Sequence, residues 1–82
     1  MKKIEEFDLV VLTTNLPTEG LTIGDVGTIV DIHRGGEGFT VEFMTLDGHT
    51  IAIVVLDATQ IRPIMKGEMS HSRLIAARNP PV

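Results

Sequence analysis

The sequence predicts an all-β domain, a small, strongly bent barrel of five short strands, on three observations. Apolar and β-branched residues gather in short runs, the runs are parted by Gly, Pro, Asn and Asp, and residues 39–43 alternate apolar and polar at period two. The stretch around which the others arrange is residues 21–32, Leu-Thr-Ile-Gly-Asp-Val-Gly-Thr-Ile-Val-Asp-Ile. Gly24 and Gly27 bracket Asp25 and Val26, as a backbone requires when it needs positive φ or close approach just before an extended run.

Residues 8–12 form a first apolar run behind an acidic start, with Phe7 placed to pack beside it. Residues 13–20 hold Asn15, Pro17 and Gly20, turn formers that exclude a long regular element and predict a loop anchored by Leu16. The glycine bend then feeds a second strand over 28–32, and the Gly-rich stretch 33–38 reads as a hairpin tip. In the third strand, 39–43, the alternation turns Phe39, Val41 and Phe43 to the core and Thr40 and Glu42 to water. Asp47-Gly48 suits the positive φ angles of a tight hairpin turn. The strand after it, 50–56, is apolar on both faces; Asp57 then caps one helical turn over 57–60, and 61–64 is a last strand that Pro63 confines to an edge or an end. Residues 1–64 therefore read as the barrel and 65–82 as a C-terminal extension. In that extension Ser70 or Ser72 caps a short helix through Leu74, Ile75, Ala76 and Ala77, or else the segment is mobile.

At 82 residues the chain has room for one domain, and 43% hydrophobic with 22% charged residues is a globular composition. Without Cys there is no disulfide framework and no thiolate metal site, which agrees with a reducing, cytoplasmic setting. Met1-Lys2-Lys3 begins like a signal peptide, but Glu5, Glu6 and Asp8 interrupt what would be its apolar segment, and the apolar run 51–56 is too short to span a bilayer. Net charge is -4, unevenly placed: up to Ile64 four basic residues face ten acids, a balance of −6, and beyond it Lys66, Arg73 and Arg78 face only Glu68, a balance of +2. An acidic body repels phosphate backbones and suits a cationic partner.

The segment Gly-Asp-Val-Gly-Thr-Ile-Val at residues 24–30, the long loop before it, the Leu-Asp-Gly turn and the closing Gln-Ile-Arg-Pro resemble a family of small bacterial proteins of unknown function with an SH3-like barrel. The likeness covers residues 7–64. The glycine-centred segment is more distantly similar to the SH3-like domains of ribosomal and transcription-elongation proteins and of the nitrile hydratase beta subunit. What the resemblance implies is architecture; such barrels host many roles, and it brings no catalytic residues.

Chemistry-bearing constellations are sparse. His33, His49 and His71 lie in or beside turns without metal-ligand spacing, the two serines sit in the extension, and the Gly-rich tip lacks the Lys-Ser/Thr of a phosphate loop. No catalytic, cofactor or metal site is expected. With no Trp or Tyr, neither a Pro-rich-ligand groove nor a methyl-lysine cage can be assembled, and few basic residues are available to track nucleic acid. What remains is an acidic face with Asp25, Asp31 and Glu42, and the strand 50–56. If Ile51, Ile53 and Val55 face the core, then Ala52, Val54 and Leu56 face outward and join Met44 in an apolar patch. Its cover is the C-terminal segment, a second copy of the chain or another protein, unless bending buries both faces. The expected function is non-enzymatic protein–protein contact, by analogy an immunity, antitoxin-like or accessory factor for a partner encoded nearby. The alternative is a nucleic-acid-associated barrel of the ribosomal type, its basic tail supplying phosphate contacts. Gly24, Gly27, Gly48, Phe39, Val41 and Phe43 are expected to be structural.

Overall fold

The computed structural model describes residues 3–75 of the chain. It is all-β: one antiparallel sheet in the order β4-β3-β2-β1-β5, built from β1 (Leu9–Leu12), β2 (Val26–His33), β3 (Gly38–Met44), β4 (Thr50–Leu56) and β5 (Ile61–Pro63). The one helical element among the described residues is a 3-10 turn, Pro17–Glu19, inside the loop between β1 and β2, started by Pro17 and ended at Gly20. Without helices to cover it, a single sheet can bury side chains only by curling on itself. Val10, Ile29 and Val41 have no exposed surface at all, so the curl is complete enough to make a dry centre, with Leu12, Phe39, Phe43, Leu56 and Ile61 around it.

The central stretch supplies the curl. Gly27 is extended and lies opposite Val10; a Cβ there would come within 2.6 Å of Val41 Cγ1 and 2.8 Å of the Phe43 ring. The second glycine of the bend is therefore required by close approach, whereas Gly24, with φ at 96°, is required by backbone conformation. A β-bulge follows: Ile29 pairs with Val41, but Asp31 pairs with Thr40, leaving Val30 as the extra residue. Uninterrupted alternation would put Asp31 on the same face as Ile29. The bulge changes the phase so that Asp31 is exposed and Ile32, opposite Phe39, packs against the core.

A second bulge corrects the sequence reading of β4. Phe43 pairs with Ala52 and Met44 with Thr50, so Ile51 is the inserted residue, and both it and Ala52 are buried. Beyond the bulge the phase is opposite to the one expected: Leu56 is buried and Val54 packs against the core, while Ile53 and Val55 are 61% and 67% exposed. An all-apolar strand contains no polar residue to reveal its phase, and the extra residue inverts whatever phase its first positions suggest.

Three further expectations change. Phe7 does not pack with the core; its φ is 71°, it is 72% exposed, and it is fixed by its backbone N–H donating to the Ile29 carbonyl at 2.7 Å. Residues 57–60 form one hydrogen-bonded turn rather than a helix, closed by Gln60 N–H to the Asp57 carbonyl and capped by Asp57 Oδ1 accepting from Thr59 N–H at 2.8 Å. Four residues suffice for the reversal into β5, and a longer helix would delay the pairing of Ile61 with Leu12. Residues 70–75 are irregular, so the capped helix does not form there; Ala76 and Ala77 lie outside the described residues. Ile75 packs against the core while Leu74 is exposed.

Candidate functional site

The edge of the sheet at β4 is the surface the fold leaves most open. β3 takes one side of β4 in pairing from Phe39–Leu56 to Met44–Thr50, and among the described residues no strand pairs with the other side. Its seven residues contain no charge and no Pro, two of the devices by which edges are blunted, and its bulge falls at Ile51 near its start, leaving residues 52–56 regular. Ile53 stands outward beside Glu42 of β3, and Val55 outward beside Thr40. Glu42 is itself held, accepting a hydrogen bond from Thr50 Oγ1 at 2.6 Å.

Beside this edge the β1–β2 loop forms the far wall of an open groove of ≈ 300 Å³, lined by Asn15, Leu16, Pro17, Thr18 and Glu19 on one side and Val54, Val55, Leu56 and Gln60 on the other. The loop is built to keep its shape. Leu16 and Leu21 exchange backbone hydrogen bonds at 2.9 and 3.1 Å, and Asn15 Oδ1 accepts from Thr22 Oγ1 and from Ile23 N–H. Leu21 is buried and Leu16 packs against the core, so the turn is pinned from beneath as well as closed on itself.

Of the expected acids, Asp25 is engaged by an arginine of the same chain. Asp25 lies at the base of this loop, where Arg73 of the extension donates to both its oxygens, through Nε at 2.9 Å to Oδ1 and through a second nitrogen to Oδ2 and to the Gly20 carbonyl. Burial alone would raise the Asp25 pKa, but the hydrogen bonds from Arg73 and Thr22 and the Arg73 charge outweigh it and hold the carboxyl below its ordinary value. Asp31 is exposed on β2 opposite Thr40, and Glu42 lies two residues along β3 from Thr40, so these two acids are diagonal neighbours across the β2–β3 pair. Of the four expected apolar contact residues Met44 is exposed, Ala52 and Leu56 are buried, and Val54 is half-buried, packed against the core while bordering the groove. Sequence reasoning missed Ile53 and Val55. No signal in the sequence marks them, since residues 51–56 are apolar throughout.

Two histidines and one arginine–glutamate pair make local contacts. His33 Nε2 lies 2.7 Å from Thr40 Oγ1 and 3.9 Å from Asp31, and His49 Nδ1 lies 3.4 Å from Asp47. No three His, Cys, Asp or Glu side chains among the described residues are grouped so as to hold a metal ion. At the opposite edge Arg62 forms a two-nitrogen pair with Glu68, whose hydrogen bonds from Arg62 and from the Met65 N–H bring its carboxyl down to about 2. No helix among the described residues is long and apolar enough to cross a membrane.

Fold and surface together define a small antiparallel all-β domain, glycine-pinned at its centre and open along one edge. Residues 6–63 match the family described as Domain of unknown function (DUF4926), and the chain belongs to that family. The match runs from the residues before β1 to the last residue of β5, so the groove and the β4 edge lie inside it and the segment carrying Glu68 and Arg73 lies outside. No curated protein and no solved structure matches the chain.

Proposed function

We propose that the chain is a non-enzymatic protein–protein interaction module that makes contact through the β4 edge. The observation that carries this reading is the seven-residue strand Thr50–Leu56, uncharged and, among the described residues, unpaired on one side, with Ile53 and Val55 exposed. Such an edge is an aggregation hazard unless something covers it. The scarcity of catalytic groupings among the described residues supports the same reading: the serines are exposed on an irregular segment, and the polar partners of the His33 and His49 rings are threonine and aspartate side chains. The strand order and the long β1–β2 loop are in keeping with the SH3-like barrel that the resemblance implies, a scaffold that serves as a binding module in many settings. An accessory or immunity-like subunit for a partner encoded nearby is the role such a module would fill. The nucleic-acid reading is weakened because Arg73, one of the cations of the extension on which it rests, is occupied by Asp25, as Arg62 of β5 is by Glu68.

The test is co-purification of the tagged full chain from its own cells, comparing wild type with Ile53→Lys and Val55→Lys on one hand and Phe7→Lys on the other. The expected result is a stoichiometric partner lost with the two β4 variants and kept with Phe7→Lys, all three being folded by circular dichroism. A partner that survives both β4 substitutions places the contact elsewhere.

A further inference from the structure

The groove and the edge form one continuous surface, and their charges indicate what enters it. The described residues contain three arginines, and each pairs with an acid of the same chain: Arg34 with Glu37, Arg62 with Glu68, and Arg73 with Asp25. The acids around β4 have no such pairing. Glu19 lines the groove, Glu42 stands next to Ile53, and Asp57 follows the last residue of the strand, and none of the three forms an ion pair among the described residues.

We propose that β4 and the groove take an extended segment of a partner protein as a sixth strand, and that the segment alternates apolar residues with lysine or arginine. This rests on the reading of β4 as the contact edge and adds the mode and the partner's chemistry. A strand laid antiparallel or parallel to β4 turns successive side chains to opposite faces. One set lies beside Ile53 and Val55 and extends their apolar row. The other set points to the loop, where Leu16 and Pro17 offer apolar surface to an aliphatic stem and Glu19 receives the charge at its end. A second copy of the chain fits less well: its own β4 brings no cation, and pairing would place Glu19, Glu42 and Asp57 of both copies around a single contact.

The experiment uses the full chain, labelled with nitrogen-15, and three synthetic peptides: alternating Val-Lys, alternating Val-Glu, and the Val-Lys peptide with every backbone nitrogen methylated. Fluorescence anisotropy gives affinities and amide shifts locate the site. The expected result is that the Val-Lys peptide moves the amides of Leu16, Thr18, Glu19 and residues 53–56 and binds at least about tenfold more tightly than Val-Glu, a margin that salt reduces. Glu19→Gln should narrow that margin, and methylation should abolish binding because it removes the donors of the ladder. If the Val-Lys peptide fails to bind, or binds equally well when methylated, strand addition by a basic segment is wrong. If light scattering instead shows a dimer whose β4 amides shift on dilution, the occupant is a second copy, and contact through β4 survives while the partner chemistry does not. Loss of the reading itself would appear separately, as a natural partner retained by both Ile53→Lys and Val55→Lys.

Discussion

The two edges of the sheet are treated in opposite ways. β5 has three residues, ends in Pro63 and is followed by a turn that Arg62 clamps through Glu68, so little backbone is available there and what is available is guarded by charge. β4 has seven residues, no charge and no proline, and carries Ile53 and Val55 in the open. The interior is otherwise orderly, with no polar side chain buried among the described residues and no buried side-chain nitrogen or oxygen left without a partner. A bare edge on a domain so well satisfied elsewhere is where function is to be sought, because the same chain protects its other edge.

The contrast depends on the sheet being curled, and the largest expected effect is the one that undoes the curl. Phe43→Ala should cost roughly 3–5 kcal/mol, since the ring is almost completely buried and its loss leaves a cavity that a domain of this size cannot close. Chemical denaturation reads this directly, and a midpoint equal to wild type would mean the centre is not where β2 and β3 place it. Gly27→Val comes next, at on the order of 1–3 kcal/mol, because its side chain would have to displace Val41 and Phe43. A thermal melt unchanged by this substitution would show that the sheet opens at its centre without cost.

Two neighbours on β4 sharpen the comparison by responding differently. Ala52→Asp puts an unpaired carboxylate into the core and should destabilise by at least about 2 kcal/mol, whereas Ile53→Lys should stay within about 0.5 kcal/mol of wild type. Melting curves of the pair test the phase set by the bulge at Ile51; equal destabilisation would mean that the strand is buried on both faces.

The smallest effect belongs to the guarded side. Asp25 titrates below its ordinary value of 3.8 when folded, so the Arg73 contact contributes in full above that value and is lost as pH falls through the lower folded one. The Arg62–Glu68 pair follows the same sign, persisting as pH falls until the folded Glu68 value of about 2 is approached. Acidification should therefore loosen residues 71–75 while β1 to β4 remain intact, an order that hydrogen exchange by mass spectrometry resolves. Loss of β4 protection before that of the extension would reverse the ranking of the two sides.

Most of the strands were legible because turn chemistry in this chain is explicit. Asn15, Pro17, Gly20, the Gly-rich tip and Asp47-Gly48 mark where the chain must reverse, and residues 39–43 show their faces through plain alternation. Gly24 and Gly27 mark the bend in the sequence, though only the packing separates a glycine needed for φ from one needed for space. The candidate contact was legible as a strand and illegible as a face. Nothing in Ile-Ala-Ile-Val-Val-Leu tells inside from outside, and a single inserted residue exchanges Ala52, Val54 and Leu56 for Ile53 and Val55.

By itself the sequence determined an acidic, cysteine-free, all-β chain with five strands and their turns, since these follow from local preferences that each short segment carries alone. The tertiary structure decided which neighbour each strand takes, where the two bulges fall, that Arg73 reaches back to Asp25, and which edge stays bare. Those are outcomes of register and of contacts between residues far apart in the chain, and a one-residue shift in pairing, invisible to composition and periodicity, is enough to turn a core side chain into an exposed one.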